Sequence, residues 1–234
     1  MAAFVNRVNR LRRRQLIERG FADRSIPLEV LSSFPNVLGC VDCTHVKIRA
    51  PKRNEMDFVN RKGYHSVNIQ MICDPQLIIT DVVAKWPGSV HDSRIFRESS
   101  ICASFENGQL DGLLLGDSGY ACRTFLLTPY LNPQTPSQER YNRALTKTRV
   151  LIEQTFGSSQ RRFACLSYGL RVDKANACRI AMACAVLHNI GIQRQDVFAR
   201  GTPPSDDHPM TVGEAGNQSG AHYRDFICAT YFRE

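Results

Sequence analysis

Three apolar runs between Val37 and Gly88 constrain the fold of this chain more than any other feature: "VLGCVDCTHVKIRAP", "HSVNIQMICDP" and "LIITDVVAKWPG". Each is rich in β-branched residues and bounded by Gly, Pro or Asp-Pro, the punctuation of strands rather than of helices. Linked by turns, the three predict an antiparallel meander. "SVHDSRIFRESSICASF" then reads as one helix, with Ser89 as N-cap and Ile95, Ser99 and Cys102 recurring on one side. "LLLGD" reads as a fourth strand and "RTFLLTP" holds a fifth, followed by a long helical segment from about Gln138 to Phe156. Asp173 caps a last helix whose Ile180, Cys184, Leu187 and Gly191 share a face. A meander, a helix, further strands and then helices describe a mixed α/β fold.

Around that region the composition changes. Residues 1–34 read as a basic N-terminal helical segment, with Phe4, Val8 and Leu11 at helical spacing and arginines off the stripe. Residues 35–200 form one domain. Residues 201–220, rich in Gly, Pro and Ser, read as a flexible linker. In 221–234 the spacing of Tyr223, Phe226, Ile227 and Tyr231 predicts a short helix.

The chain has 234 residues, a formal charge of +8 and nine cysteines. The odd, scattered cysteines fit free, mostly buried thiols in a reducing compartment better than a disulfide scaffold. No uninterrupted apolar run approaches the roughly 18 residues needed to cross a bilayer, so no membrane is expected as partner. The positive charge falls in two patches. Residues 1–24 carry seven arginines against two acids, and residues 139–174 carry eight Lys/Arg against three. Such patches suit a polyanionic partner, because lysine and arginine bind phosphate backbones by releasing counterions.

Four acids stand where acids are costly or directional. Asp42 lies inside the apolar run "VLGCVDCTHV", Asp117 ends "LLLGD", Glu153 shares a helical face with Val150, Phe156 and Gly157, and Asp92 falls in the first turn of its helix. Each has a plain structural explanation: a helix-dipole partner for Asp92, a turn for Asp117, an ion pair with Arg149 for Glu153. Together they can converge on one spot, where carboxylates repel unless divalent cations neutralise them. Oxygen-only ligation selects hard ions such as Mg²⁺ or Mn²⁺.

The ordered series "GCVDCTH", "NRKGYHSVNIQMICD", "WPGSVHDSRIF", "LLGDSGY", "YNRALTKTRVLIEQTFG" and "AVLHNI" resembles the nuclease domain of PIF/Harbinger transposases and the transposase-derived nucleases of vertebrates, from about Gly39 to Ile190. The resemblance implies a ribonuclease-H-like mixed sheet flanked by helices. It implies catalytic Asp42, Asp117 and Glu153, a divalent cation held by these and Asp92, and metal-dependent hydrolysis of DNA. Cys43 stands where that family usually has Gly. Family members usually carry a longer N-terminal helical region for DNA binding, so a separate DNA-binding partner protein is expected. Residence in the nucleus, and also the cytoplasm, follows from the substrate and from "RLRRRQ", a weak import signal. The rival expectation is a catalytically silent DNA- or partner-binding module that keeps the transposase fold. Zinc at "CVDC" and His45 lacks a second Cys pair at matching spacing.

Overall fold

The computed structural model describes residues 34–196 and 218–233. The expected N-terminal helix and most of the expected linker lie outside the described residues. Strands β1 (Val37–Lys47), β2 (Ser66–Cys73) and β3 (Ile79–Pro87) form the meander, and β4 (Leu113–Leu115) and β5 (Leu126–Leu127) extend it. The sheet order is β3-β2-β1-β4-β5. β1 pairs antiparallel with β2 and parallel with β4, which pairs parallel with β5. Helices flank this mixed sheet, the arrangement of a ribonuclease-H-like α/β fold.

The period of two along β1 separates two cores. Cys40 and Val46 pack with Ile69, Met71 and Cys73 against the helical layer, where α3 (Pro136–Arg162) contributes Tyr141, Leu145 and Ile152. The same layer includes α4 (Cys165–Tyr168), with Leu166, and α5 (Lys174–Gln193), with Ala177, Ala181, Cys184 and Ala185. On the opposite face, Val41 and Ile72 pack with Phe96, Ile101, Cys102 and Phe105. Those four come from the short helices α1 (Asp92–Arg97) and α2 (Ser100–Glu106). Asp42 therefore points with Cys40 towards α3, and Cys43 points with Val41 towards α1. Gly39 leaves room for β2: a Cβ there would lie 2.3 Å from the carbonyl oxygen of Cys73.

Several elements differ from expectation for local reasons. The single helix expected after Ser89 is two helices, because Ser99 is extended and its Oγ accepts from the Cys102 N–H, capping α2. His91, not Ser89, precedes α1. The long helix starts earlier, at Pro136 after the Thr135 cap, and runs on to Arg162. The buried face of α5 keeps Cys184 and Gly191 of the expected stripe, with Ile180 packed at its edge, but is completed by small residues rather than by Leu187. Leu187 is 50% exposed while Ala177 and Ala181 are fully buried, since small side chains let the helix approach the sheet closely.

By length and composition α5 is apolar enough to cross a bilayer, yet it serves here as a core helix. Its polar pair grips the edge strand. Asn189 Oδ1 accepts from the Ile79 N–H and its Nδ2 donates to the Ile79 carbonyl, both at 2.8 Å, while His188 Nε2 donates to Leu77 O at 3.0 Å. Finally, α6 (Gln218–Tyr231) docks through Ile227 and Cys228, whereas Phe226 and Tyr231, expected on its inner face, are exposed. None of the described cysteines forms a disulfide, and most are buried.

Candidate active site

The site begins where one strand outruns another. Strand β4 stops at Leu115, opposite Cys40, while β1 continues to Lys47. Asp42 and Asp117 each lie two residues beyond that paired position in the same chain direction, so they come side by side past the end of the parallel ladder. Asp117 leaves the apolar strand into a turn, its Oδ1 accepting from the Gly119 N–H at 2.9 Å. Asp42 is only 3% exposed, and a buried carboxylate demands a partner. Its Oδ1 accepts from the Cys43 N–H at 2.7 Å, and its Oδ2 accepts from Arg149 Nη2 at 2.8 Å.

Arg149 comes from α3, one turn before Glu153. Burial works to lower its pKa, but the carboxylates of Asp42, Asp117 and Glu153 outweigh that and raise it. The charges of three of the acids singled out in the sequence thus act on one guanidinium, which hydrogen-bonds to Asp42. Glu153 itself is exposed, so the cluster opens to solvent through α3. Arg149 does not form the simple i,i+4 bond to Glu153; its hydrogen bond crosses to β1, 107 positions away in sequence.

The fourth acid is set differently. Asp92 opens α1 and its Oδ1 accepts from Asn68 Nδ2 at 2.8 Å. Asn68 also donates to Val90 O at 3.0 Å, tying the approach to α1 onto β2. Because Asn68 lies opposite His45, it belongs to the Cys43 face, so Asp92 and Asp42 are on different sides of β1. Between them stand Cys43 and Tyr120, with Sγ and Oη 3.4 Å apart. Burial first, then Asp92, pushes the Cys43 thiol well up. Tyr120 is likewise pushed up by burial, with Cys43, Asp92, Asp42 and Asp117 adding to it. Both groups are neutral fillers of the wall between the acids.

A zinc site at "CVDC" is ruled out by parity: Cys40 and Cys43 project from opposite faces of β1, and Cys40 Sγ donates to Thr148 O. Among the described residues no group of three or more His, Cys, Asp or Glu stands ready to hold an ion. The three carboxylates whose charge acts on Arg149 nevertheless suit a hard divalent cation in kind, being oxygen donors. The arrangement seen is the one that holds a guanidinium.

With this geometry in place, comparison with known proteins decides the family. Residues 41–189 match the DDE superfamily endonuclease family. The chain belongs to that family. It is 42% identical over 174 residues to "Putative nuclease HARBI1" of Homo sapiens, covering 72% of this chain and 50% of the relative. The Mus musculus protein of that name is 40% identical over 184 residues, 76% of this chain and 53% of the relative. "Protein ALP1-like" of Arabidopsis thaliana is 27% identical over 201 residues, 78% and 49%. The chain spans about half the length of these relatives. No solved structure matches it. The DDE endonuclease match covers all four acids.

Sequence reasoning named the acids but missed what holds them. Arg149 was counted in a phosphate-binding patch, whereas it is the counter-charge of Asp42. Two others of that patch are also committed: Arg140 donates to Phe232 O, and Arg162 pairs with Asp196. Asn68 gave a usable signal, an amide in a fully buried strand, where polar side chains need partners.

Proposed function

We propose that this chain is a divalent-metal-dependent endonuclease that hydrolyses DNA phosphodiester bonds. The observation that carries the reading is the register that sets Asp42 and Asp117 side by side at the end of the β1–β4 ladder, with Arg149, one turn from Glu153, bonded to Asp42. Asp42, Asp117 and Glu153 would hold Mg²⁺ or Mn²⁺, and such ions would supply an activated water and stabilise the leaving 3′ oxygen; Asp92, across the Cys43–Tyr120 wall, flanks them on the other face of β1. The chain's own residues do the rest. Asn68 fixes Asp92, the Cys43 N–H orients Asp42, and Cys43 with Tyr120 keeps water from the space behind them. Arg143 and Lys147, exposed on α3 ahead of Glu153, draw in a phosphate backbone that the acids alone would repel. Residence in the nucleus and the cytoplasm, and a separate DNA-binding partner, belong to the same proposal.

A second reading, a silent DNA- or partner-binding module, is favoured by one observation: Arg149 already takes Asp42 Oδ2. The test is nicking of supercoiled plasmid by the purified chain. Activity with Mn²⁺ or Mg²⁺, abolished by EDTA and by Asp117→Asn, is expected. Calcium should support little cleavage, because its looser coordination positions a nucleophile poorly. Nicking that persists in EDTA or in Asp117→Asn contradicts the enzyme, and absence of nicking with either metal leaves the binding module.

A further inference from the structure

The connection between β1 and β2 carries a basic surface that neither of the two sequence patches includes. Residues 48–65 hold Arg49, Lys52, Arg53, Arg61 and Lys62 against Glu55 and Asp57, a net +3, and all five cations are exposed. Charge on a loop is ordinarily a solvated face, but this loop is built rigidly. Its base is stitched by Ile48 N–H to His65 O at 2.9 Å and Leu170 N–H to Lys47 O at 2.8 Å. Phe58, 5% exposed, anchors its middle. Its tip is a turn held by buried Asn60, whose Oδ1 accepts from the Lys62 and Tyr64 N–H groups, with Gly63 in the left-handed region at φ +77°.

The hairpin is also bolted to the segment that presents Asp92. The Gly88 N–H donates to Ser66 O and the Ser89 N–H to Asp57 O. Gly88 permits this approach, since a Cβ there would lie 2.2 Å from Ser66 Oγ and 2.8 Å from Phe58 O. Arg61 Nη2 donates to Nδ1 of His91, the residue before Asp92, at 2.7 Å. A fixed guanidinium therefore sits one residue from the fourth acid.

The geometry points to this hairpin as the surface that holds a DNA strand by its phosphates on the Asp92 side of the site, Arg61 and Lys62 making the contacts nearest the acids. Arg143 and Lys147 of α3 serve the Asp42 side. The contact is to backbone phosphates and so carries no sequence preference. The inference rests on the nuclease reading for its substrate class.

The experiment is fluorescence anisotropy of a short labelled duplex with the full chain in Ca²⁺ buffer, between about 50 and 200 mM NaCl. Arg61→Ala/Lys62→Ala leaves Asn60 and Gly63 in place. It should weaken binding on the order of tenfold at low salt and reduce the slope of log affinity against log salt by about 2. Lys52→Ala/Arg53→Ala, on the outer arm, should lower the slope in the same way and covers a folding defect in the first variant. Arg179→Ala, an exposed cation of α5, should change nothing. Unchanged slopes in both hairpin variants, or a wild type that binds no DNA, overturn the proposal. Mn²⁺ affinity, which hairpin variants should leave at the wild-type value, separates this failure from failure of the metal site.

Discussion

Arg149 Nη2 lies 2.8 Å from Asp42 Oδ2, and this ion pair joins the long helix α3 to the central strand β1. Both partners are largely removed from water, with side chains 15% and 4% exposed. Such a pair adds little net stability over an apolar pair, but removing one partner strands a buried charge. Arg149→Met should therefore destabilise the chain by about 3 to 5 kcal/mol in urea titrations. Adding Mn²⁺ should recover part of that loss in the variant, as the carboxylates gain another cation. A variant as stable as wild type without metal would show that Asp42 is satisfied by its other contacts.

The grip of α5 on the edge strand is a second test. Asn189→Ala removes two hydrogen bonds to Ile79 and leaves its N–H and carbonyl to be satisfied otherwise, at a cost of about 1 to 3 kcal/mol. Hydrogen exchange at β3 should speed up more than at β1. Uniform exchange changes across the sheet would contradict a local clamp.

His188 makes the same clamp sensitive to acid. Burial holds its pKa below the ordinary value of about 6.5, so the folded state prefers the neutral ring. The sign follows from linkage: the unfolded chain binds the proton more readily, and stability is full above about pH 6.5 and lost as pH falls through that region. The urea midpoint should drop between about pH 7.5 and 5.5 by more in wild type than in His188→Gln. Equal drops would place the acid sensitivity elsewhere.

The meander, the strand ending at Asp117 and the helix carrying Glu153 were legible because strand and helix periods and turn residues act locally. The cap at Asp173 follows from the same local chemistry, whereas the Thr135 cap starts its helix earlier than the spacing suggests. What the sequence hid was pairing over long separations. Nothing near Arg149 reveals that its hydrogen bond crosses to Asp42 rather than to Glu153 on its own helix. One position on the buried face of α5, Leu187, departs from expectation for a related reason. Leu187 scores as core by hydrophobicity, yet the sheet selected alanines for close packing. Period two did contain the answer for Cys40 and Cys43, three apart in a strand and therefore on opposite faces.

Gly39 tests the packing of β1 on β2 beneath the site. An added methyl meets the Cys73 carbonyl at 2.3 Å, a backbone atom that cannot rotate away. Gly39→Ala should cost about 1 to 3 kcal/mol and should weaken metal binding if the strand shifts. A neutral effect on the melting midpoint would mean that β2 yields easily at that point.

The most direct test of the account is calorimetric titration of Mn²⁺ into wild type, Asp42→Asn, Asp117→Asn and Glu153→Gln, with plasmid nicking followed on the same samples. The substitutions keep side-chain shape and remove ligand charge. We predict that wild type binds Mn²⁺ and nicks, that each variant binds at least about tenfold more weakly, and that none of the three nicks. Three variants that bind Mn²⁺ and nick DNA like the wild type would contradict the assignment of these carboxylates as the site.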